Sequence, residues 1–260
     1  MSRRMDGGRG RRGAHLAEPV QLEMNQVLEP APGWGGRRVG AGRKRVAGRR
    51  SSVEHRVRPV HKGRHPVHVT LRARGGLPSF RHQRVSDMFR RVLHDQRGRR
   101  YAASFQVVEF SIQANHLHLI VEATGIEETG GVDAKDALRA GVSGLAIAFA
   151  RRLNRLLGRR GKVWGDRWHG RELASPREVR NALVYVFRNL ARHGTTMIGD
   201  GLVDPLSSAS RFRGWTSAVR PLIEPGLWPH VPPRTWLLGE GWHSRGGGLI
   251  NPREVRRKGD

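Results

Sequence analysis

The octapeptide Asn115-His116-Leu117-His118-Leu119-Ile120-Val121-Glu122 concentrates the side chains best suited to chemistry. On a β-strand successive side chains alternate, so Leu117, Leu119 and Val121 share a core face while His116 and His118 project together from the other. Two imidazoles ~7 Å apart at Cα can ligate one metal ion. The same residues also serve as a solvated or hydrogen-bonded pair, and the octapeptide alone leaves both roles open. A second polar stripe, Asn181, Tyr185, Asn189 and His193, recurs every four residues and therefore lies along one face of a helix. Tyr185 is one of only two tyrosines. Beside an apolar stripe it can be a core ring with a wet hydroxyl. Asn189, one turn later, supplies an amide oxygen that could complete a His-His-amide metal site close to the phenol.

These segments need elements to hold them. Val67, Val69 and Leu71 alternate with His68, Thr70 and Arg72, the period of a half-buried strand. Ser79 to Arg97 reads as a helix with Val85, Met88, Phe89 and Val92 as its apolar stripe. Strands over Ser104 to Ile112 and His116 to Glu122 are joined by Gln113-Ala-Asn115, short enough to demand an antiparallel hairpin. From Asp133 to about Gly158, Leu138, Val142, Leu145, Phe149, Leu153 and Leu156 keep helical spacing. Val163 to Leu173 suits a Trp-rich extended segment. Ser175-Pro176 then caps and opens a helix with Val179, Leu183, Val186 and Leu190 on its apolar face, ending at His193-Gly194. The order β-α-β-β-α-β-α predicts an α+β fold, a ferredoxin-like antiparallel sheet with the helices on one face. Loop-like sequence beyond Gly201 is expected to wrap the core.

Composition narrows the function. The 260 residues hold 48 Lys and Arg against 22 Asp and Glu, a net charge of +26. A nucleic-acid backbone is the first partner that such a charge suggests, ahead of acidic substrates or anionic membranes. Residues 1–64 carry 16 of these cations and five acids with no hydrophobic period, and read as a basic, largely disordered arm in which Arg43, Lys44 and Arg45 are candidate DNA contacts. Residues 65–200 would form one folded domain and 201–260 an extension packed on it. The absence of cysteine excludes disulfides, thiol nucleophiles and thiolate-bound metals, so any metal must be held by His, carboxylates or amides. The longest uncharged apolar stretch, Ala140 to Ala150, has 11 residues against the roughly 20 needed to span a bilayer. With no apolar signal segment after the Arg-rich start, a cytoplasmic location without membrane partners is expected.

The octapeptide resembles the His-hydrophobic-His (HUH) strand of single-tyrosine HUH transposases, especially the REP-associated tyrosine transposase branch. Tyr185-Val186-Phe187-Arg188-Asn189 matches that branch's Tyr-Val-x-x-Asn helix. Lys162 to His169, Asp204 to Ser208, Thr235 to Trp242 and Gly40 to Lys44 also look like family segments, so the resemblance covers roughly residues 40 to 250. Two departures are Leu190, where the family often has proline, and Glu109 on a strand beside the histidines.

The resemblance implies that residues 65–200 are the catalytic domain and that Tyr185 attacks a phosphodiester of single-stranded or hairpin DNA and forms a 5′-phosphotyrosine link. A phenol with an ordinary pKa of ~10 needs activation for this. It further implies a divalent ion, Mg²⁺ or Mn²⁺, on His116, His118 and Asn189. Arg167, His169 and Arg171 are candidate DNA contacts on the adjoining Trp-rich segment, and a homodimer is compatible with the family. Two other readings remain: a non-catalytic nucleic-acid-binding protein, and a metal-dependent nuclease in which water attacks.

Overall fold

The computed structural model describes residues 60–96, 98, 101–125, 133–192, 202–221 and 231–254. Seven principal elements follow in order: β1 (Val67–Arg72), α1 (Gln83–Gln96), β2 (Phe105–Ile112), β3 (His116–Ala123), α2 (Ala134–Leu156), β4 (His169–Glu172) and α3 (Pro176–Arg192). The four strands form one antiparallel sheet in the order β2-β3-β1-β4. Because β3 lies between β1 and β2, the first β-α-β crossover straddles it, which is the ferredoxin-like arrangement. Of the expected Trp-rich strand, only His169–Glu172 joins the sheet. The preceding loop is stitched to the end of β1 by an Ala73–Trp164 bridge and a Gly165 N–H bond to the Arg72 carbonyl.

The period-2 pattern of β1 and β3 sets which side chains enter the main core. Val67, Val69, Leu71, Leu117, Leu119 and Val121 are buried against α1 and α2, together with Val85, Phe89, Val142, Leu145, Phe149 and Leu153. Asp133 caps α2 by accepting the Lys135 N–H. Close approach of α2 to the sheet depends on Gly141, where an added Cβ would lie 2.1 Å from the Phe105 ring.

The helices do not share one face, contrary to the sequence expectation. Whereas α1 and α2 cover one side, Val179, Leu183 and Val186 of α3 pack with Val108 and Ile120 on the opposite side. The physical reason is visible in β3 itself. Ile120 interrupts the polar positions and makes Leu119-Ile120-Val121 a continuous apolar run, the mark of a strand buried on both faces. The C-terminal segments 202–221 and 231–254 contribute Val203, Ala209, Trp215, Leu237, Leu238, Trp242 and Ile250 to this second core.

Three carboxylates tie the C-terminal segments down. Glu122, 1% exposed, accepts bonds from the Gln106 amide (2.6 Å), the Arg234 N–H (2.8 Å), the Thr235 N–H (2.8 Å) and the Thr235 hydroxyl (2.7 Å). Fully buried Asp204 receives a two-pronged Arg81 pair at 2.8 and 2.9 Å. Glu254 pairs in the same manner with Arg180 of α3. At the other end of the folded region, His61 bridges the Glu172 carboxylate (2.9 Å) and the Ala123 carbonyl (3.1 Å). Within the 1–64 stretch read as an arm, His61 and the Lys62 N–H thus meet Glu172 at the end of β4. Residues 1–59, with Arg43, Lys44 and Arg45, lie outside the described residues. Among the described residues no helix is long and apolar enough to cross a membrane.

Two substitutions test this packing. Gly141→Ala would ordinarily stabilise a helix by ~1 kcal/mol, but here the clash with Phe105 should reverse the sign and destabilise by about 1–3 kcal/mol in denaturant unfolding. Glu122→Gln turns an amide donor toward groups that are themselves donors. It should destabilise by about 2–4 kcal/mol and expose the 231–254 segment to protease first.

Candidate metal and tyrosine site

Between the sheet and α3 lies a layer of polar residues built from three strands and one helix. Strand register fixes its members. On β1 and β3, Thr70 stands opposite His118, His68 opposite Ile120, and Arg72 opposite His116. On the other side of β1, His169 of β4 stands opposite Thr70 and Arg171 opposite His68. Since cross-strand partners share a face, His68, Thr70, His116, His118, His169 and Arg171 all project toward the α3 side.

Tyr185 enters this layer from α3. Its ring stands edge-on to His118 with centroids 5.1 Å apart, and edge-on to His68 at 5.6 Å. His116 and His118 are themselves perpendicular at 4.7 Å. His118 is buried, and its Nδ1 lies 3.2 Å from His68 Nε2 and 3.3 Å from Thr70 Oγ1. His116, half-buried, holds its Nδ1 2.8 Å from the Asn115 side-chain oxygen. The structure thus brings together three of the four residues singled out for chemistry. Asn189 lies one helical turn beyond Tyr185 and is 1% exposed. Neither its amide oxygen nor its amide nitrogen has a hydrogen-bond partner among the described residues. An unsatisfied buried amide costs free energy, and in native proteins such groups cluster where a ligand or ion completes them.

His68 is the member that sequence reasoning missed. It was legible only as one polar position in a strand, because its nearness to His118 depends on the pairing of β1 with a strand about 50 residues away. Burial, with the nearby His169 and Arg171, pulls His68 down to about 4, so its ring is neutral at physiological pH.

The expected DNA contacts divide. His169 and Arg171 are exposed on the edge strand β4 and share the face of the histidine layer, with Arg171 held by Glu178 at 2.9 Å. Arg167 is exposed on the loop before β4. A cavity of about 280 Å³ opens beside it, lined by Val60, His61, Arg167, Trp168, His169 and Glu172. Glu109 faces the α3 side from β2, opposite Ile120 and within reach of Ser208, which sets it apart from the histidines. Burial pushes its carboxyl up to about 8, partly offset by the Ser208 hydroxyl bond.

Among the described residues no three His, Cys, Asp or Glu side chains converge to hold a metal. A cation here would need the Asn189 amide oxygen as a third donor beside His116 and His118. The donor chemistry and the unsatisfied amide are compatible with that.

No protein-family model matches the chain, and no curated protein is similar to it. Among solved structures, the chain is similar to a REP-associated tyrosine transposase bound to a REP hairpin, with 16% identity and a TM-score of 0.46 over 61% of this chain and 84% of that one. It is also similar to a candidate transposase of Deinococcus radiodurans, with 16% identity and a TM-score of 0.27 over 47% of this chain and 85% of that one. Likenesses at these values carry no functional argument, so function has to be argued from the side chains.

The Glu109 shift has a measurable consequence. Unfolded, this carboxyl ionises near its ordinary 4.5, whereas folded it keeps its proton to about 8. Its contribution to stability is complete below about pH 4.5, falls as pH rises toward 8 and is then lost. Denaturant unfolding across that range should show a weaker decline for Glu109→Gln than for the wild type.

Proposed function

We propose that this chain is a single-tyrosine HUH transposase that cleaves and rejoins single-stranded DNA, at hairpin-forming repeats, through a 5′-phosphotyrosine intermediate. The observation that carries the reading is the seating of Tyr185 edge-on against His118, with the unsatisfied amide of Asn189 one turn behind it.

Tyr185 acts as nucleophile. Its phenolic oxygen forms a new bond to the scissile phosphorus as the bond from phosphorus to the 3′-oxygen breaks. The electron pair leaves on the 3′-oxygen, which is protonated, while the phenolic proton passes to solvent. One phosphodiester is exchanged for another, so the linkage is stored for rejoining. His116, His118 and Asn189 would hold a divalent cation. Two imidazoles and an amide suit Mn²⁺ better than Mg²⁺, which prefers all-oxygen surroundings. When bound, such an ion offsets charge on the scissile phosphate and eases departure of the 3′-oxygen.

His169 and Arg171, on the same face of the sheet, and Arg167 beside the cavity would take the DNA backbone and orient the strand across the tyrosine. The basic arm, Arg43, Lys44 and Arg45 included, would add salt-dependent affinity independent of sequence. In the homodimer that the family resemblance allows, Tyr185 would serve either its own chain's metal site or its partner's. A role in DNA transposition also fits a cytoplasmic protein.

A hairpin oligonucleotide with a labelled 5′ flank and a labelled 3′ flank tests the reading. With Mn²⁺, the wild type should become covalently attached to a DNA 5′ end and release a free 3′-hydroxyl. Tyr185→Phe should lose the adduct by at least ~10³-fold, and EDTA should abolish it. Free 5′-phosphates that persist in Tyr185→Phe would instead identify a hydrolytic nuclease. Tight binding without any cleavage would identify a binding protein.

A further inference from the structure

Resting on the proposed metal site, we infer that His68 is a positioning residue that sets which nitrogen His118 presents and where the His118 ring stands relative to Tyr185. It is the residue in contact with both: its Nε2 lies 3.2 Å from His118 Nδ1, and its ring meets the Tyr185 ring at 5.6 Å.

Hydrogen-bond chemistry explains why such a residue is needed. A neutral imidazole carries one proton, and a ring that meets a cation through Nε2 must hold that proton on Nδ1. An Nδ1–H buried between a sheet and a helix needs an acceptor there, and metal-binding imidazoles are oriented by such partners. With its own proton on Nδ1, His68 offers the Nε2 lone pair as that acceptor, 3.2 Å away. Thr70 Oγ1, at 3.3 Å, is a second neighbour, but a hydroxyl donates as readily as it accepts and so does not fix the tautomer by itself.

The location of His68 argues against simple space-filling. The layer between the sheet and α3 is apolar at Ile120, Val179, Leu183 and Val186. An apolar side chain on β1 would pack there without the desolvation of a polar ring. His68 instead stacks tilted on His118, with centroids 5.2 Å apart, and edge-on to Tyr185, so three rings from β1, β3 and α3 brace one another. In this arrangement His68 sets the separation between the imidazole and the phenol as well as the proton on His118.

The test begins with metal-free protein. ¹⁵N spectra of the imidazoles should show His118 protonated on Nδ1 in the wild type, and should show that preference lost in His68→Phe. Titration with Mn²⁺ alone, in the absence of DNA, should find affinity reduced about 10- to 100-fold in His68→Phe. His68→Gln, whose amide oxygen can accept the same bond, should restore most of the affinity, and Thr70→Val should change it little. A shift in thermal melting without a change in Mn²⁺ affinity would assign His68 a merely structural role and overturn the inference. So would a wild-type His118 protonated on Nε2, or a loss of affinity in Thr70→Val that His68→Phe does not share. A wild type that takes up no Mn²⁺ would overturn the metal reading first and this inference with it. By contrast, normal Mn²⁺ uptake with unchanged affinity in His68→Phe would remove the inference alone.

Discussion

Burial of β3 on both of its faces is the constraint on which the rest of the molecule depends. One face, Leu117, Leu119 and Val121, meets α1 and α2 in an apolar core. The other carries His118, Ile120 and Glu122, all nearly inaccessible, beneath α3 and the C-terminal segments. A strand with water on one side would leave its histidines free to choose partners. Covering that side with a helix forces every polar group on it to be satisfied by protein, to be neutral, or to await a ligand.

Each of these outcomes occurs within one layer. Glu122 and Asp204 are satisfied by protein, through four donors and an arginine fork, respectively. Burial leaves Glu109 protonated and His68 neutral at pH 7. Asn189 alone keeps both ends of its amide unanswered among protein groups of the described region. The satisfied groups lie where the C-terminal segments dock, and the unanswered amide lies one turn from Tyr185. Gln96 and Ser210 also keep one buried polar atom unanswered, but among the described residues only Asn189 does so at both ends of its side chain, and it stands beside Tyr185.

Much of this layout was legible in the sequence. Alternation in β1 and β3 and the three-residue link after β2 specified the sheet, and the spacing from Leu138 to Leu153 specified α2, because both periods are local. Tyr185 and Asn189 could be assigned to one helical face for the same reason. What local patterns could not supply was pairing across distance. Which strand flanks β3, and in what register, decides that His68 rather than another polar residue meets His118. Likewise the second buried face of β3 was signalled by Ile120 alone. The docking of Thr235 on Glu122 spans 113 residues and has no local signature.

The basic charge fits this division of labour. The 16 cations of residues 1–64 are set against a remainder of +15 on the rest of the chain, and the proposed chemistry resides in side chains that add nothing to it: His116, His118, Tyr185 and Asn189. Peptide mass mapping of the protein–DNA adduct formed with a hairpin oligonucleotide tests the central claim most directly. If Tyr185 is the nucleophile, the nucleotide mass must sit on the peptide that contains it, joined through a 5′-phosphate. Attachment to a peptide containing Tyr101, the other tyrosine, whose hydroxyl bonds Gln96 at 2.7 Å, would contradict it, as would attachment to any serine or histidine.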